Sequence, residues 1–278
     1  MANTDEERLV SWLAGITDIH DQTMDFLSQL EGAPSADSIA YKELVSNSAS
    51  ADQLRDSYKL GHQLINIGGD HMIGFRTLAK SESSTVAPYT CVRGTVEGCA
   101  LAVWILSCNL NGSERLKRYY AYRYNCLEQE KKYAHSEKLS NKERGVANQI
   151  DKIVNQAQHF GLASVLDKNG CRIGIGMPMP NITEIISNHI GEEPANRCLS
   201  AIAHAHHWAY SQLCFAVGES DAGEKHMFKH IDPVVLAWLC MKSASAFWKA
   251  SREMCELFGG DIDELQNLFE TALPDIKL

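Results

Sequence analysis

The sequence predicts an all-α fold, a multi-helix bundle of about seven helices with little or no strand, on three observations. Apolar residues recur at helical spacing through most of the chain, turn signals separate the periodic segments, and only residues 167–181 resist a helical reading. The 278 residues are read as a single domain, with 1–80 and 81–278 as the place to subdivide it.

The bulk numbers narrow the function classes. With 45% hydrophobic and 22% charged residues the composition is ordinary for a globular protein. A net charge of -9 excludes a nucleic-acid surface spanning the whole molecule but leaves room for a local basic groove. Nine cysteines, an odd number without a CxxC pair, suit reduced core thiols and a cytoplasmic setting. The acidic start MANTDEERLVSW lacks the features of a secretion signal. The most apolar run, residues 98–108, falls short of the roughly 18 residues a membrane span needs, so no membrane partner is expected.

Taken in order, residues 4–31 read as an amphipathic helix, capped by Thr4 and buried through Leu9, Trp12, Leu13, Ile16, Leu27 and Leu30. Asp18, Asp21 and Asp25 share its polar face, the ordinary pattern of a solvated surface and not a metal set. Residues 51–80 form a second helix, expected to be interrupted or bent at Gly68-Gly69 because paired glycines weaken a helix interior. Residues 89–107 are the most apolar segment and the predicted central helix, in which Arg93 and Glu97 are the only charges. Four residues apart, they lie on one face and can pair in the core or line a pocket.

Asn111-Gly112-Ser113 is a turn, with Ser113 as the expected cap of a charged helix that gathers Arg115, Arg118, Tyr119, Tyr122 and Arg123. Arginine interleaved with tyrosine can hold phosphates and stack on bases, or pack as an ordinary amphipathic face. Helical periodicity resumes over 140–165, and 167–181 reads as a loop or a short extended segment. Asn181 or Thr183 caps the next helix. After Val217 an exposed loop is expected, then a long helix over 232–258 with Asp232 as cap, Pro233 in its first turn and Gly259-Gly260 at its end, and a short terminal helix.

The stretch 197–213, RCLSAIAHAHHWAYSQL, carries the densest chemistry. Read as one helix, it places Arg197, Ser200, His204, His207 and Ser211 in one stripe with Trp208 at its edge, and Leu199, Ile202, Ala205, Ala209 and Leu213 opposite. A cation, hydroxyls and imidazoles on one face can hold an anion, relay a proton or face water.

Four elements in this order, Gly69-Asp70-His71-Met72, Arg93 to Glu97 and Ala100, the arginines of 115–123, and Leu199-Ser200-Ala201-Ile202-Ala203-His204, resemble a set of uncharacterised bacterial all-helical proteins over about two thirds of the chain. The last element also resembles the motif of the HEPN superfamily, an arginine and a histidine separated by four to six residues on one helix of a bundle. Arg197 and His204, with six residues between them, match it, whereas Cys198 stands where the family carries a polar residue. The resemblance implies a metal-independent ribonuclease, acting as a homodimer. His204 would serve as general acid or base and Arg197 would steady the phosphate, while Arg115, Arg118 and Arg123 meet RNA.

Two other readings stand beside it. In one, a small-molecule enzyme, a lyase or cyclase, takes a hydrophobic substrate into the bundle, with Arg93, Glu97, His204 and His207 as polar groups among Trp104, Trp208 and Tyr122. In the other the chain is a non-catalytic interaction protein. No cofactor motif is present and no metal is expected. The discriminating quantity is the distance between the Arg93/Glu97 pair and His204.

Overall fold

The computed structural model describes residues 5–81, 84–219, 225–229 and 231–276, and among these eleven α-helices carry the fold. The first is α1 (Asp5–Gly32), whose expected cap Thr4 lies outside the described residues. It is followed by α2 (Ile39–Ser46), α3 (Ala51–Ala79), α4 (Ala87–Leu106), α5 (Gly112–Ser136) and α6 (Ser140–His159). A three-stranded antiparallel sheet then runs β1 (Ser164–Leu166), β2 (Arg172–Ile175), β3 (Met177–Pro178). Next come α7 (Ile182–His189), α8 (Glu193–Ala203), α9 (His207–Leu213), a hairpin of β4 (Phe215–Glu219) and β5 (Lys225–Lys229), α10 (Pro233–Phe258) and α11 (Ile262–Ala272). The all-α reading holds in its coarse form, with more helices than about seven and two small antiparallel sheets.

The most apolar segment is the hub. α4 packs against α3 and α10 along most of its length, and α5, α7 and α8 cover the remainder. Tyr89, Val92, Val96, Cys99, Val103 and Leu106 are buried there. At 1.5–3 kcal/mol per large apolar side chain removed from water, roughly, such a helix is held by its packing and not by intrinsic propensity. The chain's ends meet on α1: the Trp12 indole donates to the carbonyl of Pro274 at 2.6 Å. None of the described helices is long and apolar enough to cross a membrane.

Boundary residues behave largely as their chemistry requires. Asp232 accepts from the Val234 amide at 2.8 Å, Pro233 opens α10, and Gly259 closes it in the left-handed region at φ 72°. Asn181, one of the two expected residues, caps α7. Asn111, and not Ser113, caps α5 by accepting from the Glu114 amide at 2.9 Å. All nine cysteines are free; Cys99, Cys214, Cys240 and Cys255 are buried, while Cys126 and Cys171 are exposed.

Three further expectations are corrected. α3 runs uninterrupted through Gly68-Gly69, because these glycines serve a close helix contact: a methyl at Gly68 would stand 2.7 Å from Cys99 Sγ, and one at Gly98 would stand 3.3 Å from the Gly68 Cα. The loop expected after Val217 is in part the β4–β5 hairpin, in which Val217 pairs with Met227 and Glu219 with Lys225. The stretch 197–213 is two helices. Ala205 sits at φ 53°, its amide donates to Ile202 and the His206 amide donates back to Ala201 at 2.8 Å, a left-handed turn that ends α8 at Ala203.

Candidate functional site

The break at Ala205 determines where the histidines go. His204 is the last half-turn of α8, His206 precedes α9, and His207 opens it, with all three exposed. His207 lies edge-on to Tyr210 at 5.4 Å, and Trp208 is 52% exposed. The single stripe therefore does not form. Arg197 projects into solvent and pairs with Glu193 at 2.7 Å, while Ser200 is half-buried and its carbonyl receives the His204 amide. The Glu193 carboxyl is held below its usual range by hydrogen bonds from Arg197 and Ser187.

What the break does bring together is His204 and α4. Arg93 Nε donates to Glu97 Oε1 at 2.7 Å, and Arg93 Nη1 stands 3.5 Å from His204 Nε2. A guanidinium only donates, so this outer-limit approach uses the lone pair of the ring. Arg93 and Glu97 are about three-quarters buried, by 23% and 28% side-chain exposure. The two alternatives for this pair, core or pocket lining, resolve into a position at the rim of the core.

Glu97 is shared with a cleft of about 470 Å³ between α4 and α5. Glu97 and Leu101, one turn apart, line one wall, and Tyr122 and Asn125 line the other. The end is closed by residues 179–182. Their placement follows from two glycines: Gly176 at φ 70° makes the tight β2–β3 turn, and a methyl on Gly174 would strike the Met177 carbonyl. The sheet is anchored to α5 where the Tyr124 hydroxyl donates to the Arg172 carbonyl at 2.8 Å. Burial, then the neighbouring Cys126, pushes the Tyr122 hydroxyl far up, so at neutral pH it is a proton-bearing donor.

Two of the α5 arginines are engaged by the protein itself. Arg115 is fully buried: Nε and Nη2 grip both oxygens of Glu43 at 2.9 and 3.1 Å, and Nη1 and Nη2 donate to the carbonyls of Ile105 and Ser107. Tyr58 donates to the same glutamate at 2.7 Å. Arg118 donates to the Trp104 carbonyl and lies 5.5 Å above the Trp104 ring, which is itself 3% exposed. Both arginines thus bind the carbonyls at the C-terminal end of α4, where a cation also meets the negative end of the helix dipole. Arg115 is withdrawn from any phosphate role, and Trp104 from any pocket role, by burial.

Among the residues proposed from sequence, the fold gathers Arg93, Glu97 and His204, and sets Tyr122 across the cleft from Glu97. Among the described residues Arg115, Arg118, Arg197, His207, Trp104 and Trp208 make no side-chain hydrogen bond or ion pair with these four, and Ser200 meets His204 only through its backbone carbonyl. Leu101, Asn125 and 179–182 were not foreseen, since apolar and amide residues carry no chemical signature of their own. Nor was a second dyad, in which His62 Nδ1 meets Glu31 Oε2 at 2.5 Å from 31 residues away in sequence. Among the described residues no three histidines, cysteines or acids come together in a metal-binding arrangement. No family model, curated protein or solved structure matches the chain.

Proposed function

We propose that the chain binds a small, largely apolar molecule with one polar end in the α4–α5 cleft, and that Glu97 exchanges a proton with it. The observation that supports this most directly is the double placement of Glu97, which holds Arg93 at 2.7 Å on one side and lines the cleft on the other. Arg93 orients the carboxylate, His204 can take up or supply the proton from the solvent side, and Tyr122 offers a hydroxyl donor opposite. Leu101, Met179, Pro180 and Ile182 supply the apolar contact that a hydrophobic substrate needs. A lyase or cyclase step, with proton removal at Glu97, fits these groups.

The test is ligand-observed NMR with short isoprenoid alcohols and carboxylic acids, followed by turnover assays on the binders. Leu101→Arg should abolish binding, while Glu97→Gln should retain it and lose turnover. Failure of every compound to bind, or binding indifferent to Leu101→Arg, would remove this reading.

Metal-independent RNA cleavage at Arg197 and His204 is the second reading, favoured by the exposure of both side chains. It requires Arg197 to leave Glu193. Cleavage of a fluorescein-labelled single-stranded RNA that is lost in His204→Ala and kept in Glu97→Gln would place the chemistry there instead.

A further inference from the structure

A second cleft, of about 310 Å³, lies between α3, α5 and α6 and is unconnected with the readings above. α5 separates the two clefts: Tyr122 and Asn125 serve the first, and Tyr119, Tyr120 and Arg123 serve the second, about 140° away around the helix. The second wall is mostly polar. Asp56 comes from α3, Arg123 from α5, and Gln149, Lys152 and Gln156, at helical spacing on one face, come from α6.

Two features of this wall bear on what it can bind. Tyr120 lines the cleft at 1% exposure, yet its hydroxyl finds no hydrogen-bond partner among the described residues. A buried hydroxyl left so has lost its hydration without replacement, a penalty that a bound acceptor or donor removes. Charges of both signs also face the same small space without pairing. Arg123 donates to the Tyr119 hydroxyl at 3.0 Å, and Asp56 and Lys152, both exposed at the mouth, make no ion pair among the described residues. Asp56 and Arg123 both act electrostatically on the Tyr120 hydroxyl, with opposite sign, so both charges stand within electrostatic reach of it.

We infer that this cleft binds a small zwitterion, a free amino acid or a molecule of the same charge pattern, with its carboxylate toward Arg123 and Lys152 and its ammonium toward Asp56. A simple anion would meet Asp56, and a simple cation would meet Arg123 and Lys152; only a ligand carrying both charges satisfies all three. The glutamine amides offer donors and acceptors to its side chain, and the volume sits at the small end of ligand sites.

The experiment is calorimetric titration of the full chain with the free L-amino acids, each compared with its N-acetyl and C-amide forms and with inorganic phosphate. At least one amino acid should bind, and blocking either end should weaken it by about tenfold or more. Arg123→Gln should erase the preference for a free carboxylate, and Asp56→Asn should erase the preference for a free amine. Tyr120→Phe should weaken binding while leaving the unfolding midpoint unchanged or raised, since it removes only an unpaired hydroxyl. The inference fails if no amino acid binds, if binding ignores both blocking groups, if phosphate binds in preference, or if the Arg123 and Asp56 variants bind as the parent does.

Discussion

Arg115 and Arg93 each hold a glutamate, at 2.9 and 2.7 Å, and the resemblance ends there. Arg115 spends every side of its guanidinium on the protein: two carboxylate oxygens, two carbonyls at the end of α4, and the face of Tyr58 at 5.5 Å. Arg93 spends one edge on Glu97, which lines an open cleft, and leaves another beside an exposed histidine. The same pair of residue types is a structural rivet in a dry site and a poised group at a rim. The number of satisfied donors separates the two, not the distance.

The largest effect should come from breaking the dry pair. Arg115→Ala leaves Glu43 buried and uncompensated and should cost about 3–5 kcal/mol in denaturant unfolding. The double variant Glu43→Leu/Arg115→Met should recover only part of this, because the carbonyls of Ile105 and Ser107 lose their donor as well. Arg93→Gln tests the other side of the contrast: stability should change by less than about 1 kcal/mol, while turnover by Glu97 should fall more steeply than ligand affinity.

Smaller changes sharpen the picture. Ala205→Gly should raise stability by roughly 1 kcal/mol, since alanine at φ 53° carries the cost of a left-handed backbone that glycine escapes. If His204 owes its position to this turn, the variant should keep the histidine beside Arg93 and leave turnover intact. The smallest effect is on pH dependence. His189, held below its ordinary value of 6.5 by burial and then by Arg118, resists protonation in the folded state. The unfolded chain takes up that proton first, so stability falls as pH drops below 6.5 toward the folded value. His189→Gln should flatten that part of a stability-against-pH curve.

Much of the scaffold was legible because its punctuation is chemical. Asp232, Pro233 and Gly259 bound α10 by capping, a fixed φ and a left-handed closure, and each of these is a property of one residue. The meeting of α4 with the histidine segment was foreseeable too, since a lone ion pair in so apolar a helix must sit beside something polar. The split of 197–213 was not legible, because alanine occupies the left-handed position and no glycine or proline marks the stop. The role of the α5 arginines was hidden for a different reason. A helical projection tells which residues share a face, not which neighbour that face meets, and here it meets the carbonyl end of α4. The cleft walls at Asn125 and 179–182 arise from a chain reversal at Gly176 that brings distant residues to α5.

The glycine seam between α3 and α4 bears on how accurately the rim can be positioned. Arg93 and Glu97 are each followed by a glycine, Gly94 against the His71 ring and Gly98 against the backbone of Gly68. The turn that carries Glu97 therefore also carries a backbone-to-backbone abutment at Gly98, which has no side-chain rotamer to relax. It acts as a mechanical stop, fixing the height of the Glu97 carboxylate over the cleft by contact with main-chain atoms. A single added carbon at Gly98 would meet the Leu64 carbonyl at 3.2 Å and shift the carboxylate, so alignment could be lost without any change to a residue in the cleft.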